Sequence, residues 1–501
     1  MTPAETPRSR PRLFVECSHT HASDLATGIQ RVVRNVLRHA GDVASNIGYE
    51  MVPVIWNGRR FVRIDASAVL ADKSHDGSSA VTRQGVKEYL KKFLRRVVAP
   101  GLAAIARVVP IQAVRRFLTA PHYEIGVLWL VWLPWVGVRA AQRRWRDLQA
   151  RLAVVLGNSH LPEGEEGFVD LDQFRTHRGN VLLLLDCSWE VPVWHGVTRF
   201  REKHGRVVGV LYDLIPVLHP ETCVPVHRRA FGRWLRNLLL SCDSIVGISE
   251  TVARDLRQLI GGRRFGSQER IPSIGFFHLG SELDHADATK PVRASIASIF
   301  EGADRAAEHV FLTVGSIEPR KNHPFVLDAF ESFWRQGGEA SWIVIGKYGW
   351  MSDEFFGRVE RHEQLGRRLF LLRDVGDREL DFAYRQASAL LIASRVEGFG
   401  LPIVEAFQRG LPVLCSDIPV FREIAEGRAS FFGLSTPESL ALALRAFCAA
   451  RDPRRRTHRD PQEWITWRQS TEQLLRQALV AEPPPHAVPR AASADLRLPS
   501  V

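Results

Sequence analysis

Ser394-Arg-Val-Glu-Gly-Phe-Gly-Leu-Pro-Ile-Val-Glu-Ala406 follows the apolar run Ala389 to Ala393 and reads as strand, glycine loop and helix start. Pro402 falls in the first turn of that helix, where its missing N–H costs nothing. Gly398 and Gly400 let the backbone approach a ligand closely. The free N–H groups at the helix start face an anionic or hydroxyl-rich ligand. Glu397 sits in the loop, and Glu405 lies eight residues on, within the first two helical turns. A carboxylate there can accept from both hydroxyls of a ribose diol. Taken alone, a glutamate near a helix start is only a favourable partner for the dipole, so the setting decides.

Working outward, strand-length apolar runs alternate with helical periodicity, the pattern of parallel α/β sheets. One series holds His309 to Val314, Trp342 to Ile345, Leu369 to Leu372, Ala389 to Ala393 and Pro412 to Cys415, with Val326, Ala329, Phe330, Phe333 and Trp334 at helical core spacing. An earlier series holds Leu13 to Val15, Val181 to Leu185, Val207 to Leu211 and Ser244 to Ile248, with Ile29, Val32, Val33, Val36 and Leu37 on one helix face. The expected fold is therefore α/β, two Rossmann-like domains facing across a cleft. The boundaries are 12–282 and 309–475, joined by a charged linker, 283–308, that Pro291 breaks. A Pro/Ala-rich tail, 482–501, is expected to be disordered.

At 501 residues the chain suits two domains. Hydrophobic residues at 45% and charged residues at 24% argue against wholesale disorder. The six cysteines show no C-x-x-C spacing, which points to a reducing compartment rather than a zinc site. No secretory signal is visible, so a cytoplasmic location is expected. The net charge of +12 suggests polyanionic partners: nucleic acid, phosphorylated substrates or an anionic membrane surface.

Residues 84–152 fit neither series. Lys87, Lys91, Lys92, Arg95 and Arg96 interleave with apolar residues, and the stretch Ile125 to Val138 carries Trp129, Trp132 and Trp135. That stretch is too short, and is broken by Pro134, to span a bilayer needing about 20 apolar residues. Two readings stand: an interfacial helix on an anionic membrane surface, or a basic helical insertion whose tryptophans are core. Nucleic acid is the weaker reading, because the aromatics lie in apolar runs rather than along a basic groove.

A second chemical motif lies upstream, Val314-Gly-Ser-Ile-Glu-Pro-Arg-Lys-Asn-His323. A strand ends at Gly315, and Arg320 and Lys321 offer cationic donors to a diphosphate.

With this motif, the spacing of Glu397 and Glu405 within EGFGLPIVEA resembles the signature of the retaining family-four glycosyltransferases of the GT-B fold. Gly346 to Trp350, Asp374 to Asp377, Ser416 to Val420, Glu463 to Trp467, the Thr27 to Arg31 turn, Tyr212 to Pro216 and Ser249-Glu250 also match. The resemblance covers about residues 12–80 and 180–475. It implies an N-terminal acceptor domain and a C-terminal donor domain.

Residue by residue, it implies catalytic roles for Glu397, Arg320, Lys321 and Asp213. Donor contacts would come from Gly28, Gly315, Ser316, Val375, Gly398, Phe399, Gly400, Leu401 and Glu405, with Tyr212 on the acceptor side. Many relatives have arginine directly after the glycine, where this chain has Ser316, so Arg320 is assigned that charge. Many have histidine before the aspartate, where this chain has Tyr212. Tyrosine can hydrogen-bond a sugar but is a poor acid or base at neutral pH.

The implied reaction retains configuration on one face of the sugar, the departing phosphate helping to deprotonate the acceptor. No D-x-D aspartate pair stands near the cleft motifs, so neither a metal nor a cofactor is expected. The nucleotide diphosphate sugar is itself the donor substrate. The Ile317 to Asn322 segment resembles bacterial mannosyltransferases and points to GDP-mannose. The expected acceptor is a glycan or lipid-linked oligosaccharide of bacterial surface polysaccharide synthesis, met at the inner face of the cytoplasmic membrane. The rival readings are a catalytically inactive nucleotide-sugar-binding membrane partner, a nucleic-acid-binding protein, and a GT-B epimerase or phosphorylase.

Overall fold

The computed structural model describes residues 10–23, 28–70, 171, 177, 179–189, 191–261, 271–283, 291–301, 309–450 and 463–479. The 84–152 insertion and the 482–501 tail, each with its own expectation above, lie outside the described residues. Both sheets belong to one compact unit, residues 1–70 and 167–501. No helix among the described residues is long and apolar enough to cross a membrane.

Among the described residues the first sheet has seven strands: β1 (Arg12–Glu16), β2 (Glu50–Trp56), β3 (Phe61–Arg63), β4 (Asn180–Leu184), β5 (Gly205–Leu211), β6 (Ser244–Gly247) and β7 (Ser273–Phe276). Their order is β3-β2-β1-β4-β5-β6-β7, parallel except for β3, which runs antiparallel to β2. β4 is buried along its whole length, as a strand covered on both faces must be. Helix Gly28–Asn46 lays Val32, Val33, Val36, Leu37, Ala40 and Val43 in the interior, the face its sequence periodicity announces.

The second sheet holds β8 (His309–Val314), β9 (Ala340–Ile345), β10 (Leu369–Leu372), β11 (Ala389–Ile392), β12 (Val413–Ser416) and β13 (Ser430–Phe432). All pairs are parallel, in the order β10-β9-β8-β11-β12-β13. Counted from β8, this is the doubly wound order 3-2-1-4-5-6. Trp342 anchors the core beneath it, stacked on Phe330 at 5.5 Å and donating from Nε1 to Thr313 Oγ1 at 2.9 Å. Burying an indole is favourable only when that N–H finds a partner.

Two expected boundaries shift. The segment read as linker contains helix Ala294–Glu301, which packs against helix Asp377–Gln386 and buries Ile296 and Phe300. Just before it, Arg293 grips Glu379 with two bonds, Nε–Oε1 at 2.6 Å and Nη2–Oε2 at 2.7 Å.

The last helix among the described residues, Trp467–Leu479, falls within the expected second domain up to 475 but lies against helix Gly28–Asn46, β4, β6 and β7 of the first. Trp467 is the anchor: its backbone N–H donates to Glu282 Oε2 at 2.7 Å and its ring N–H to Glu282 O at 2.9 Å. Gly280 makes room, since a Cβ there would stand 2.5 Å from the Trp467 nitrogen.

Candidate active site

The loops that leave β8 and β11 start where the strand order reverses, the place at which doubly wound sheets form their ligand crevice. Gly315 has φ of +140°, and a Cβ at Gly346 would lie 1.9 Å from the Gly315 oxygen, so two backbones touch where side chains could not fit. A short 3-10 turn, Pro319–Lys321, ends in Asn322 at φ 61° and delivers Arg320 and Lys321 to the crevice. The Arg395 N–H donates to Arg320 O at 2.8 Å, tying the two loops together.

Here the predicted basic pair meets the predicted carboxylate. Glu397 takes Arg320 Nη1 on Oε2 and Lys321 Nζ on Oε1, the latter at 2.5 Å, and Ser394 Oγ adds a 2.8 Å bond. Arg320 Nε also reaches Glu318 Oε2 at 2.9 Å, and Ser316 spends its hydroxyl on the other Glu318 oxygen.

Burial alone would push the Glu397 carboxyl up; Arg320 and Lys321 outweigh it and hold the group down at about 2. Burial likewise disfavours the charged guanidinium of Arg320, but Glu397, Glu318 and Asp213 more than restore it. The crevice thus holds two basic side chains fixed on one buried carboxylate.

The first domain supplies the opposite wall. Asp213 follows β5, accepts the Ile215 N–H at 3.0 Å, and has its carboxyl raised by burial against the pull of Arg320. Gly398 presses on this turn: a Cβ there would sit 2.0 Å from the Tyr212 oxygen. Ser249 Oγ donates to Gly398 O at 2.8 Å. Tyr212 does not face the crevice as expected. It is buried, and its hydroxyl donates to Leu185 O at 2.6 Å, because the side chain leaving the end of β5 turns into the first domain's core.

Glu405 projects from helix Leu401–Gln408 and is 2% exposed. Tyr384 OH donates to Oε2 at 2.6 Å, and Arg31 of the first domain holds Oε1. Gly400, at φ +123°, starts the helix with no side-chain cap, and its carbonyl accepts the Ile403 N–H at 2.9 Å. Leu401 meets Gly28 across the gap, its Cδ1 3.8 Å from where a Gly28 Cβ would be. Val375 lies half-buried in the loop between β10 and helix Asp377–Gln386. The Phe399 ring is buried with those of His278 and Trp464, 6.1 and 6.2 Å away, so a donor contact at this position would come from its backbone.

Several contributors escaped the sequence reading. Arg31 and Tyr384, which hold Glu405, are two. A clasp between the domains is another: Glu423 accepts the Glu250 and Thr251 backbone N–H groups at 2.7 and 2.8 Å and pairs with His278 Nε2 at 2.8 Å. Near the ends of β1 and β4, His19, Asp186 and Cys187 bring ligand-capable atoms within 4.8 Å of one another. His19 Nδ1 is bonded there to Gln30 at 3.0 Å, and Asp186 accepts the Thr20 and Cys187 backbone N–H groups at 2.6 and 2.7 Å. The donor atoms around His19 are scattered through sequence, which is why no spacing revealed them.

Residues 297–463, the span that carries Arg320, Lys321, Glu397 and Glu405, match the family described as glycosyl transferases group 1. Over that span the chain is similar to the group 1 glycosyl transferases. Among curated relatives, the serotype-specific mannosyltransferase WbdA of Escherichia coli is 34% identical over 275 residues, 55% of this chain and 34% of that protein. The O-antigen chain mannosyltransferase RfbU of Salmonella typhimurium is 32% identical over 141 residues, 28% of this chain and 38% of its own.

The chain thus spans about a third of the length of the curated relatives it matches first. Two solved structures share the fold at a TM-score of 0.51. Sucrose-phosphate synthase from Thermosynechococcus elongatus is 14% identical, with 94% of this chain and all of that one covered. The N-terminal domain of Candida albicans trehalose-6-phosphate phosphatase is 12% identical, with 94% and 97% covered. The span similar to the group 1 glycosyl transferases sits in a two-domain GT-B fold, with its motifs at the second sheet's strand ends.

Proposed function

We propose that the chain is a retaining glycosyltransferase that moves a hexose from a nucleotide diphosphate sugar, GDP-mannose being the first candidate, to a glycan or lipid-linked acceptor in bacterial surface polysaccharide synthesis. The observation that carries this reading is the buried triad of Arg320, Lys321 and Glu397, with Asp213 on the facing wall. Names of relatives add the sugar and the pathway: WbdA and RfbU are mannosyltransferases, the latter of the O-antigen chain.

In the proposed step the bond between the anomeric carbon and the diphosphate oxygen breaks, and a bond to the acceptor oxygen forms on the same face. The acceptor proton passes to a phosphate oxygen of the departing diphosphate. Arg320 and Lys321 take up the negative charge that grows on that group, a contribution worth on the order of 2.7–4 kcal/mol for one lost donor. Glu397 keeps both cations in place and, at about 2, stays ionised, so it is a poor proton acceptor. Asp213, with its carboxyl raised by burial, holds the acceptor hydroxyl. Glu405 receives the ribose, and Gly28 faces the phosphates from the first domain.

The site of action is proposed to be the cytoplasmic face of the membrane, where a lipid-linked acceptor is presented. Incubation of the purified chain with a panel of nucleotide sugars tests the reading: release of nucleoside diphosphate, faster with a glycan acceptor, supports it. Thermal stabilisation by the donor adds a binding check, about 2.7 kcal/mol at 100 times its dissociation constant. A chain that neither binds nor turns over any member of the panel would refute it.

A further inference from the structure

Eight large apolar side chains are exposed among the described residues, and four of them, Leu218, Val226, Tyr348 and Met351, lie on two short segments that meet. One segment, 214–227, follows Asp213 in the first domain; the other, 346–351, leaves β9 in the second. Trp350 joins them. Its ring N–H donates to Thr222 O at 2.9 Å, and the ring stands at right angles to that of His227, 6.0 Å away. Cys223, next to Thr222, lies within electrostatic reach of Asp213 and Arg320. Single exposed apolar groups are ordinary on a protein surface, but a cluster of them beside a cleft marks a binding surface.

The second-domain segment is built onto the loop that carries Arg320. Ile317 N–H donates to Lys347 O at 3.0 Å, Ile317 and Tyr348 form a parallel bridge, and a Cβ at Gly349 would stand 2.4 Å from Ile317 O. Tyr348 is 52% exposed, and its ring lies flat on buried Phe356, with centroids 4.6 Å apart and planes 14° from parallel. The Arg373 guanidinium, 4.7 Å from the Phe356 centroid, helps to hold that ring. One face of the tyrosine is thus backed and the other is turned out. Met351, 58% exposed, has φ of 54°, a conformation that side chains of its kind seldom adopt. Strain kept at an exposed position belongs to a ligand contact more often than to packing.

A fixed aromatic ring with one free face suits a pyranose, whose C–H groups present an apolar face while its hydroxyls stay in water. The first-domain segment starts at Asp213, where the proposed reaction holds the acceptor hydroxyl, so an occupant of these loops is continuous with the group that reacts. We propose that Tyr348 and Met351, with Val226 and Leu218 on the facing wall, form an acceptor subsite for a sugar that precedes the reacting one. The acceptor is then an oligosaccharide chain recognised over two or more residues, not a single sugar. The inference rests on the proposed glycosyl transfer and narrows its acceptor.

Initial rates of the full chain at saturating donor, with methyl α-mannoside and α-linked mannobiose, mannotriose and mannotetraose as acceptors, test this. Acceptor KM should fall by at least about tenfold from the monosaccharide to the tetrasaccharide, and Tyr348→Ala should raise it by about tenfold for the tetrasaccharide alone. The monosaccharide KM, the donor KM and the unfolding midpoint should stay as they are, and Tyr348→Phe, which keeps the ring, should behave as wild type. A wild-type KM independent of acceptor length, an equal loss for every acceptor, or a raised donor KM would overturn the inference and leave the transferase reading standing. So would unchanged transfer by Tyr348→Ala together with weakened binding to phosphatidylglycerol vesicles, which would give the loops to a lipid surface. Donor hydrolysis without transfer to any of the four acceptors would also overturn it, and no turnover of any donor would overturn both readings. Should Tyr348→Ala fail to fold, Val226→Ser on the facing wall carries the same test, with a rise of about threefold expected for the tetrasaccharide KM.

Discussion

Gly398 of the second domain lies so close to Tyr212 of the first that a β-carbon on the glycine would stand 2.0 Å from the tyrosine carbonyl oxygen. Backbone meets backbone there, and the same loop carries Glu397. The contact therefore sets how near Asp213 comes to the cations of the donor side.

Gly398→Ala follows directly. The neighbouring atom is main-chain oxygen and cannot rotate away, so the loop or the domain must move, at a cost of about 1–3 kcal/mol. Thermal unfolding should show the loss, and glycosyl transfer should fall further than stability explains. Wild-type transfer from the alanine variant would mean that the close approach is not used in the reaction.

Acid stability should carry the signature of Glu397. Its carboxyl is depressed from 4.5 to about 2 in the folded chain, so its contribution is fully present above about pH 4.5 and is lost as the pH falls toward 2. Glu397→Gln should remove that part of the pH dependence. At neutral pH it should also cost about 3–5 kcal/mol, because Arg320 and Lys321 are left buried without their shared counter-ion. Denaturant midpoints measured between pH 2 and 7 for both proteins check this.

Tyr212 and Asp213 are adjacent but should behave differently. Tyr212→Phe removes a buried bond to Leu185 O and should cost about 1 kcal/mol of stability with transfer rates within a few-fold of wild type. Asp213→Asn should leave stability nearly unchanged and lower transfer by about 100-fold or more. Side-by-side kcat and unfolding measurements separate them, and the reverse ranking would place the acceptor on the tyrosine.

Glu423 caps the first N–H groups of helix Glu250–Gly261 from the other domain. Glu423→Ala strips a cap and an interdomain tie together and should lower stability by about 1–2 kcal/mol. Cleavage between the domains in limited proteolysis should rise with it. An unchanged unfolding midpoint would show that the clasp contributes nothing in solution.

Much of this was legible in the chain. Apolar runs marked four of the seven described strands of the first sheet and five of the six of the second, missing β2, β3, β7 and β13, and the eight-residue step from Glu397 to Glu405 marked the loop and helix that follow β11. Arg320 and Lys321 follow one strand and Glu397 another, where doubly wound sheets gather their ligands, but the ion pairs that join them are not written in either segment.

Contacts that depend on packing between distant segments were not legible. Arg31 and Glu405 are 374 residues apart, and nothing local in either segment names the other. Tyr212 and Phe399 sit at motif positions, yet their rings follow the space available, one into the first domain's core and the other against His278 and Trp464. The apolar face of helix Trp467–Leu479 says that it is covered, not which sheet covers it. Helix Ala294–Glu301 is different: Ile296, Ile299 and Phe300 stand at helical spacing, but the charge and Pro291 around them carry the pattern of a linker.

The most direct test of leaving-group stabilisation is the turnover of Lys321→Met, with the donor saturating. Lys321 touches Glu397 at 2.5 Å, and its loss leaves Arg320 to balance that carboxylate, so the fold should survive. The expected result is kcat lowered by about 100- to 1,000-fold with the unfolding midpoint little changed. A kcat within about twofold of wild type would contradict the account, since the charge on the departing diphosphate would then be met by something other than the buried cations.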